Sequence, residues 1–412
     1  MNKRSWLVAV LVSALILSGV MGAQSVSAAE TKIIKIGALL SLSGPPAPIG
    51  DINKKALDIY SQILNERGIK VGKDTYRLEL IYADDQFSPQ GAVAAANKLI
   101  FSDKVQFLTH YSPSNAALSP LTNANKVILV GRTAGGFIYN AKTMPYNVYF
   151  NLVAEVWPGL GYAACTAMPE IKTIGLLIST ANKGILDDQI HRIKTFIEKR
   201  KGKILEPIWY PLGTQDFTPY LAKLHEGNAD LVMVAGPASD AMAVSKLRQS
   251  MGKKYPITQT GGYANLKAFI AAMGSFEFSN NIVSEYNAPW EYKVTKISPK
   301  HLADMKKFRD LWIAKYTDPI ETISTIPFGY TMGQLSLIVE ALQQAGTTDP
   351  DALMKTLRGG TFDSLLGKFK MTGQKKHGSP VFFGSPGMAS ILKNGKEVYL
   401  GETPITDVDN LP

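Results

Sequence analysis

A chain of 412 residues, 45% apolar and only 19% charged, is too long for one ordinary core and too apolar for disorder, so two globular domains are expected. The formal net charge of +10 is carried by scattered lysines and short clusters such as "KRKGK" and "KKYP", with no basic stripe interleaved with aromatics, which argues against nucleic acid as a partner. In chain order the first feature is a leader. Lys3 and Arg4 precede an apolar run from Trp6 to about Met21, and small residues "AQSVSAAE" follow. Charged, apolar and small segments in that order predict a secretory signal peptide over residues 1–28, cleaved near Ala28. Its removal takes away Lys3 and Arg4 and leaves a net charge of +8. The single cysteine, Cys165, excludes an intramolecular disulfide, and no cysteine stands near the cleavage point to carry a lipid. The expectation is a soluble protein between two membranes.

The mature chain alternates apolar strands with amphipathic helices. "KIIKIGALL" (32–40) is strand-like, and Ile52, Ala56, Ile59, Tyr60, Ile63 and Leu64 then repeat at helical spacing until Gly68. "YRLELIYAD" alternates as a strand, and Ser88 followed by Pro89 predicts a capped helix through Ile100. "VQFLT" and "VILVG" bracket a helix opening at Ser114. A second series begins with "TIGLLIS" and runs through a helix over 185–201, a strand "KILEPIWY", and "DLVMVAG" leading to a helix capped by Ser239 or Asp240. "YPITQTGG" then leads to a helix capped by Asn265. Strand, helix, strand, helix is the grammar of a parallel sheet, and two such series predict an α/β protein of two doubly wound lobes. The segment between them, "YNVYFNLVAEVWPGLG", has no turn-rich linker. It predicts strands crossing between lobes, which makes a hinge and leaves a cleft.

Catalytic patterns are lacking. No Gly-x-Ser-x-Gly elbow, phosphate loop or His-Glu-x-x-His helix is present, and His110, His191, His225, His301 and His377 lie far apart without metal-ligand spacing. The run Gly159-Leu-Gly161-Tyr-Ala-Ala164 imitates a dinucleotide fingerprint but follows Trp157-Pro158 instead of a clear strand. Asp84 and Asp85 are adjacent on a strand and point to opposite faces, so a turn-capping role fits them better than an acid pair. No enzyme activity, metal or cofactor is expected.

The segments "IGALLSLSGPPAPIGDINKKALDIYSQILNERGI", "YADDQFSPQGAVAAANKLI" and "FGYTMGQLSLIVEALQQAG", with the late "FDSLLGKFKMT", resemble the periplasmic binding proteins of branched-chain amino-acid-type ABC transporters. The resemblance covers essentially the whole mature chain. It implies the type I fold, two Rossmann-like lobes joined by three crossover segments, with residues 29–152 and 285–362 in the N-terminal lobe and 153–284 and 363–412 in the C-terminal lobe. It further implies a periplasmic receptor that closes on a small molecule and delivers it to a membrane-embedded ABC permease. A sensory, amide-responsive or urea-responsive role on the same fold is the alternative.

Under that resemblance Ser112, Pro113 and Ser114, with Asn115, match the first ligand loop, and Thr133, Ala134 and Gly135 match the second. Both loops leave the carboxyl ends of strands, where a helix start offers free N–H groups to a carboxylate. Ser114 has a second reading as a plain helix cap, and Arg132 is either an anion partner or a solvated cation. Trp157, Tyr263 and Tyr286 are candidate cleft aromatics. In the second lobe, Pro237 and Gly261 fall in the two loops where amino-acid-binding relatives commonly place an aromatic and the acid that holds the α-ammonium. "TQTGGYANL" contains no acid, and an ammonium buried without a carboxylate is costly. The expected ligand therefore keeps a carboxylate and lacks a free α-ammonium, as an aromatic or aliphatic acid does. A branched-chain or other amino acid is the alternative.

Overall fold

The computed structural model describes residues 31–402, apart from 45, 111–113, 132–143, 152, 183–185, 260–265, 286–296, 319, 321–330, 366, 373–374, 376–380 and 384–387. The leader over 1–28 therefore lies outside the described residues. Among those described, no helix is long and apolar enough to cross a membrane.

The chain opens with β1 (Lys32–Leu40), α1 (Ala47–Arg67), β2 (Ile69–Val71) and β3 (Asp74–Asp84). Next come α2 (Pro89–Asn97), continued by a π-helical turn at Lys98–Ser102, then β4 (Phe107–His110), α3 (Asn115–Ala124), β5 (Ile128–Gly131) and β6 (Asn147–Asn151). The expected Ser88 cap is in place: its hydroxyl accepts the Gly91 N–H at 3.0 Å, and Pro89 occupies the first turn. The second series is α4 (Val153–Ala167), β7 (Thr173–Ser179), α5 (Asp187–Lys199), β8 (Lys203–Ile204), β9 (Ile208–Tyr210) and α6 (Thr218–Glu226). It continues through β10 (Leu231–Ala235), α7 (Ala238–Ser250), β11 (Ile257–Thr258), α8 (Leu266–Met273), α9 (Phe276–Ser279) and β12 (Ile282–Glu285). The chain then forms α10 (Pro299–Lys315), α11 (Gly333–Ala345), α12 (Pro350–Leu357), β13 (Thr361–Ser364), β14 (Gly367–Lys370) and β15 (Val381–Phe383). It ends on β16 (Met388–Lys393) and β17 (Lys396–Glu402).

Two sheets result. The first has the order β15-β6-β5-β4-β1-β3-β2, parallel except for the β2–β3 pair. The second has the order β17-β16-β12-β11-β10-β7-β8, with β9 also on β7; β16 and β17 close it antiparallel. Parallel strands covered on both faces read as unbroken apolar runs, and neighbouring residues feed opposite cores. Ile36, Ala38, Phe107 and Ile128 join the core built on Tyr60, Phe308 and Trp312, whereas Leu39, Leu108 and Leu129 pack on the α2 side with Leu99 and Leu118. The second sheet repeats the device, with Leu176 and Ile178 on one face and Leu177 on the other.

Four local expectations are corrected. "KILEPIWY" forms two short strands, β8 and β9, because Pro207 lies between them and lacks an N–H for the ladder. The crossing segment after Asn151 is a helix, α4, despite Pro158 within it. Continuous apolarity over that stretch does not distinguish the two forms. Helix α7 is preceded by Pro237 and makes no side-chain cap bond, so neither Ser239 nor Asp240 caps it. Finally, Leu365, Phe369 and Met371 belong to the first core and β15 pairs with β6. The last passage from the first sheet to the second thus falls between Phe383 and Met388, later than the expected boundary at 362/363.

Candidate functional site

In each sheet the strand order reverses direction at one place, and open α/β sheets bind ligands in the crevice beyond the carboxyl ends of the strands there. In the first sheet this point lies between β1 and β4, because β2 and β3 continue on one side of β1 and β4, β5 and β6 on the other. Register brings the strand ends level: Leu40 opposite Asp84, Leu39 opposite His110, and His110 opposite Gly131.

The side chains just past these ends form a buried polar network. Asp85 is fully buried, and its Oδ1 accepts the Ser41 hydroxyl at 2.7 Å and the Phe87 N–H at 2.9 Å. Asp84 Oδ1 accepts the N–H groups of Leu42 and Gln86, both at 2.9 Å. Burial pushes the Asp84 carboxyl up, but bonds from Ser43, Gln86 and Leu42 outweigh it and hold the group below its usual value. These bonds secure a turn in which Gln86 and Phe87 both take the left-handed conformation, at φ 52° and 49°. The turn-capping role expected of the acid pair is what the geometry shows. Across from it, His110 Nε2 lies 3.8 Å from Asp85 Oδ2, and His110 Nδ1 lies 3.0 Å from Asn115 Oδ1. The Gln334 side chain of α11 accepts the His110 N–H at 3.2 Å and donates to its carbonyl at 3.0 Å.

Ser114 stands at the start of α3, buried, and makes no side-chain capping bond to that helix. The plain cap reading is therefore not what the structure shows, while its carbonyl accepts the N–H groups of Ala117 and Leu118. Asn115 turns its amide inward to His110 and against Gly131, where a Cβ would lie 2.1 Å from Oδ1, so only glycine fits there. Ser112, Pro113, Arg132, Thr133, Ala134 and Gly135 lie outside the described residues.

In the second sheet the reversal lies between β7 and β10. The Asn182 amide donates to the Ala235 carbonyl at 3.0 Å, joining the two strand ends. Asp240, in the first turn of α7, accepts the Tyr210 hydroxyl at 2.8 Å and the Ser239 hydroxyl at 3.2 Å. Gly236 makes room for that pair, since a Cβ there would meet Tyr210 Oη at 1.9 Å. Pro237 is exposed at the head of α7. Trp157 is buried in the second core beside α4's neighbours, and its Nε1 has no hydrogen-bond partner among the described residues. In the same helix Gly161 packs against Met233, where a Cβ would fall 2.7 Å from its sulfur. That packing accounts for the glycine of the false dinucleotide motif. Gly261, Tyr263 and Tyr286 lie outside the described residues. Cys165 is buried, and desolvation pushes its thiol up to about 11, which makes it unreactive. Among the described residues no cluster of three His, Cys, Asp or Glu side chains could hold a metal.

Sequence reasoning placed Ser114 and Asn115 at this edge but passed over His110 as one of five scattered histidines. His110 closes the strand "VQFLTH", and only the pairing of β1 with both β3 and β4 brings it beside the acids that close "YRLELIYADD".

Residues 33–383 match the family model for periplasmic binding proteins. The chain belongs to the periplasmic binding protein family. Within it, the branched-chain amino-acid type I members are the ones it resembles. A Leu/Ile/Val-binding protein homologue from Brucella abortus is 28% identical over 216 residues, which is 52% of this chain and 53% of that protein, so the matched region spans about half of the relative's length. Among solved structures, a solute-binding protein of an ABC transporter from Rhodopseudomonas palustris, in complex with 4-hydroxybenzoate, superposes with TM-score 0.64 at 20% identity. It covers 92% of this chain and 98% of its own. The branched-chain amino acid transporter substrate-binding protein LivJ from Streptococcus pneumoniae, in complex with isoleucine, gives 0.63 at 20%, covering 91% and 100%. This periplasmic binding protein therefore has two Rossmann-like lobes, as the two parallel sheets show.

Proposed function

We propose that this protein is an extracytoplasmic solute receptor that captures a small carboxylate-bearing molecule between its lobes and hands it to an ABC permease. The observation that carries the reading is the first sheet's switch point. The buried Ser114 stands at the start of α3, the helix that follows a parallel strand, and the first N–H groups of a helix have no acceptor within it. Ser112, Pro113, Ser114 and Asn115 form one ligand loop, and Thr133, Ala134 and Gly135 the other. Pro237, Gly261, Tyr263, Tyr286 and Trp157 contribute from the second lobe and the crossings. Lobe assignment follows strand pairing, with residues through 151 and from 297 to 383 in the first lobe.

The ligand keeps its carboxylate and lacks a free α-ammonium. Asp240, the acid at the head of α7, is committed to Tyr210, and "TQTGGYANL" supplies no other. The structural neighbour that holds 4-hydroxybenzoate supports this chemistry. The isoleucine complex and the Leu/Ile/Val relatives favour an amino acid as the second reading.

A thermal-shift panel of leucine, valine and phenylalanine beside their deaminated acids and substituted benzoates tests the choice. A ligand at 100 times its dissociation constant adds about 2.7 kcal/mol, enough for a readable rise in Tm. The acids should give the largest rise. If a branched-chain amino acid does so and the acids give none, the second reading replaces the first; silence across the panel removes the carboxylate-receptor reading.

A further inference from the structure

His110 has contacts on every side and no place in the ligand reading itself. Its main chain is held at the end of β4 by the reciprocal amide bonds to Gln334. Its ring is bracketed between Asn115 Oδ1 at 3.0 Å and Asp85 Oδ2 at 3.8 Å, with all three residues at or below 5% exposure. The Nδ1 contact joins the last residue of β4 to the first of α3. Asn115 in turn rests on Gly131, the last residue of β5 and the point from which the Thr133 loop departs. One imidazole and one amide thus touch the roots of both ligand loops.

We propose that His110 is a positioning residue: by orienting Asn115 against Gly131 it holds the end of β4, the start of α3 and the end of β5 in one geometry, and so sets affinity without touching the ligand. Holding the end of β4, the start of α3 and the end of β5 together before binding is a form of preorganisation, which raises affinity. The arrangement also accounts for a glycine at the end of β5, since any side chain there would push Asn115 away from His110. The affinity half of the inference rests on the receptor reading above; the claim that the two roots are tied does not.

Two measurements separate these. Amide hydrogen exchange on the ligand-free full chain compares wild type, His110→Phe, His110→Asn and Gly131→Ala. Phenylalanine keeps the ring and removes both nitrogens, whereas asparagine keeps a polar group near the Nδ1 position. His110→Phe should speed exchange in residues 111–115 and also in 131–135, with β1 and β10 unchanged, and His110→Asn should restore most of the protection. Gly131→Ala, which displaces Asn115 from the opposite side, should loosen residues 111–115 even if His110→Phe fails to fold. Acceleration confined to the segment adjoining each substitution would overturn the tie. Calorimetric titration with 4-hydroxybenzoate and with leucine then reads the affinity. His110→Phe should weaken the bound probe at least tenfold and His110→Asn by less than threefold. Equal loss in both variants, or unchanged affinity in His110→Phe, would overturn the positioning role. If neither probe binds wild type, the receptor reading fails for these ligands while the exchange pattern still decides the tie.

Discussion

The switch points of the two sheets are built from the same topology and filled with opposite chemistry. At the first, two buried or half-buried acids, a histidine and two amides cross-link the ends of four strands, and the acids organise backbone N–H groups. At the second, Asp240 at the head of α7 accepts the Tyr210 hydroxyl, and the strand ends are joined by an uncharged amide. Helix starts favour negative charge in both places. Neither α3 nor α7 has a side-chain cap, but at the second Ser239 gives its hydroxyl to Asp240. The difference teaches that one topology fixes where the strands end but not which side chains join those ends.

The largest effect that can break this contrast comes from Asp85. Replacing it with alanine leaves the Ser41 hydroxyl and the Phe87 N–H without their acceptor inside the protein, and should destabilise the fold by about 3 kcal/mol. Chemical denaturation of Asp85→Ala measures it. A loss under 1 kcal/mol would mean that the cross-linked first switch point is not a structural unit.

Asp240→Ala is the matching change in the second sheet. It leaves the Tyr210 hydroxyl unpaired beneath Gly236, for a cost of about 2 kcal/mol in stability. Ligand affinity should stay within threefold of wild type. A loss of a hundredfold for an amino acid would instead identify Asp240 as the group that holds an ammonium, and the two switch points would then be complementary in charge.

What the sequence disclosed follows the range of the interactions involved. Ser88 and Pro89 announced α2 because capping is local, and the runs at 32–40 and 173–179 announced buried parallel strands because both of their faces are covered. The lobe boundary was misplaced because β15 joins β6 across more than 200 residues, and no local pattern encodes that pairing. Asp240 was assigned to capping because first-turn acids usually do so; the competing partner, Tyr210, is 30 residues away in sequence. His110 stayed hidden for the same reason, since its meaning depends on Asp85 and Gln334, which only the fold brings near. The strand ends were legible in the sequence, and the network that joins them was not.

Ser114→Ala sharpens the contrast at lower amplitude. With no capping bond to α3 to lose, the change should act on binding, weakening a carboxylate ligand by about tenfold, or roughly 1.4 kcal/mol. Isothermal titration reads it directly. Affinity within twofold of wild type would remove Ser114 from the ligand loop.

The smallest effect concerns pH. His301, in the first turn of α10, is buried, and its Nε2 donates to the Asp363 carbonyl at 2.9 Å. Asp304 and Glu340 carboxylates stand 3.8 and 3.7 Å from its ring nitrogens. Burial is the main influence and lowers its pKa. The Asp363 carbonyl and the charges of Glu340 and Asp363 pull it up, Lys300 pushes it down, and the net position is below the usual 6.5. A folded-state value below the unfolded one means that the unfolded chain takes up the proton first, so stability is complete above pH 6.5 and declines as pH falls through the folded value. Asp84, held below 3.8, loses its contribution only in far more acid solution, so the two windows do not overlap. The urea midpoint should therefore drop between pH 7 and 5.5 in wild type. It should drop less in His301→Gln, whose amide can still donate to Asp363. Parallel curves for the two proteins would show that His301 is not the group responsible.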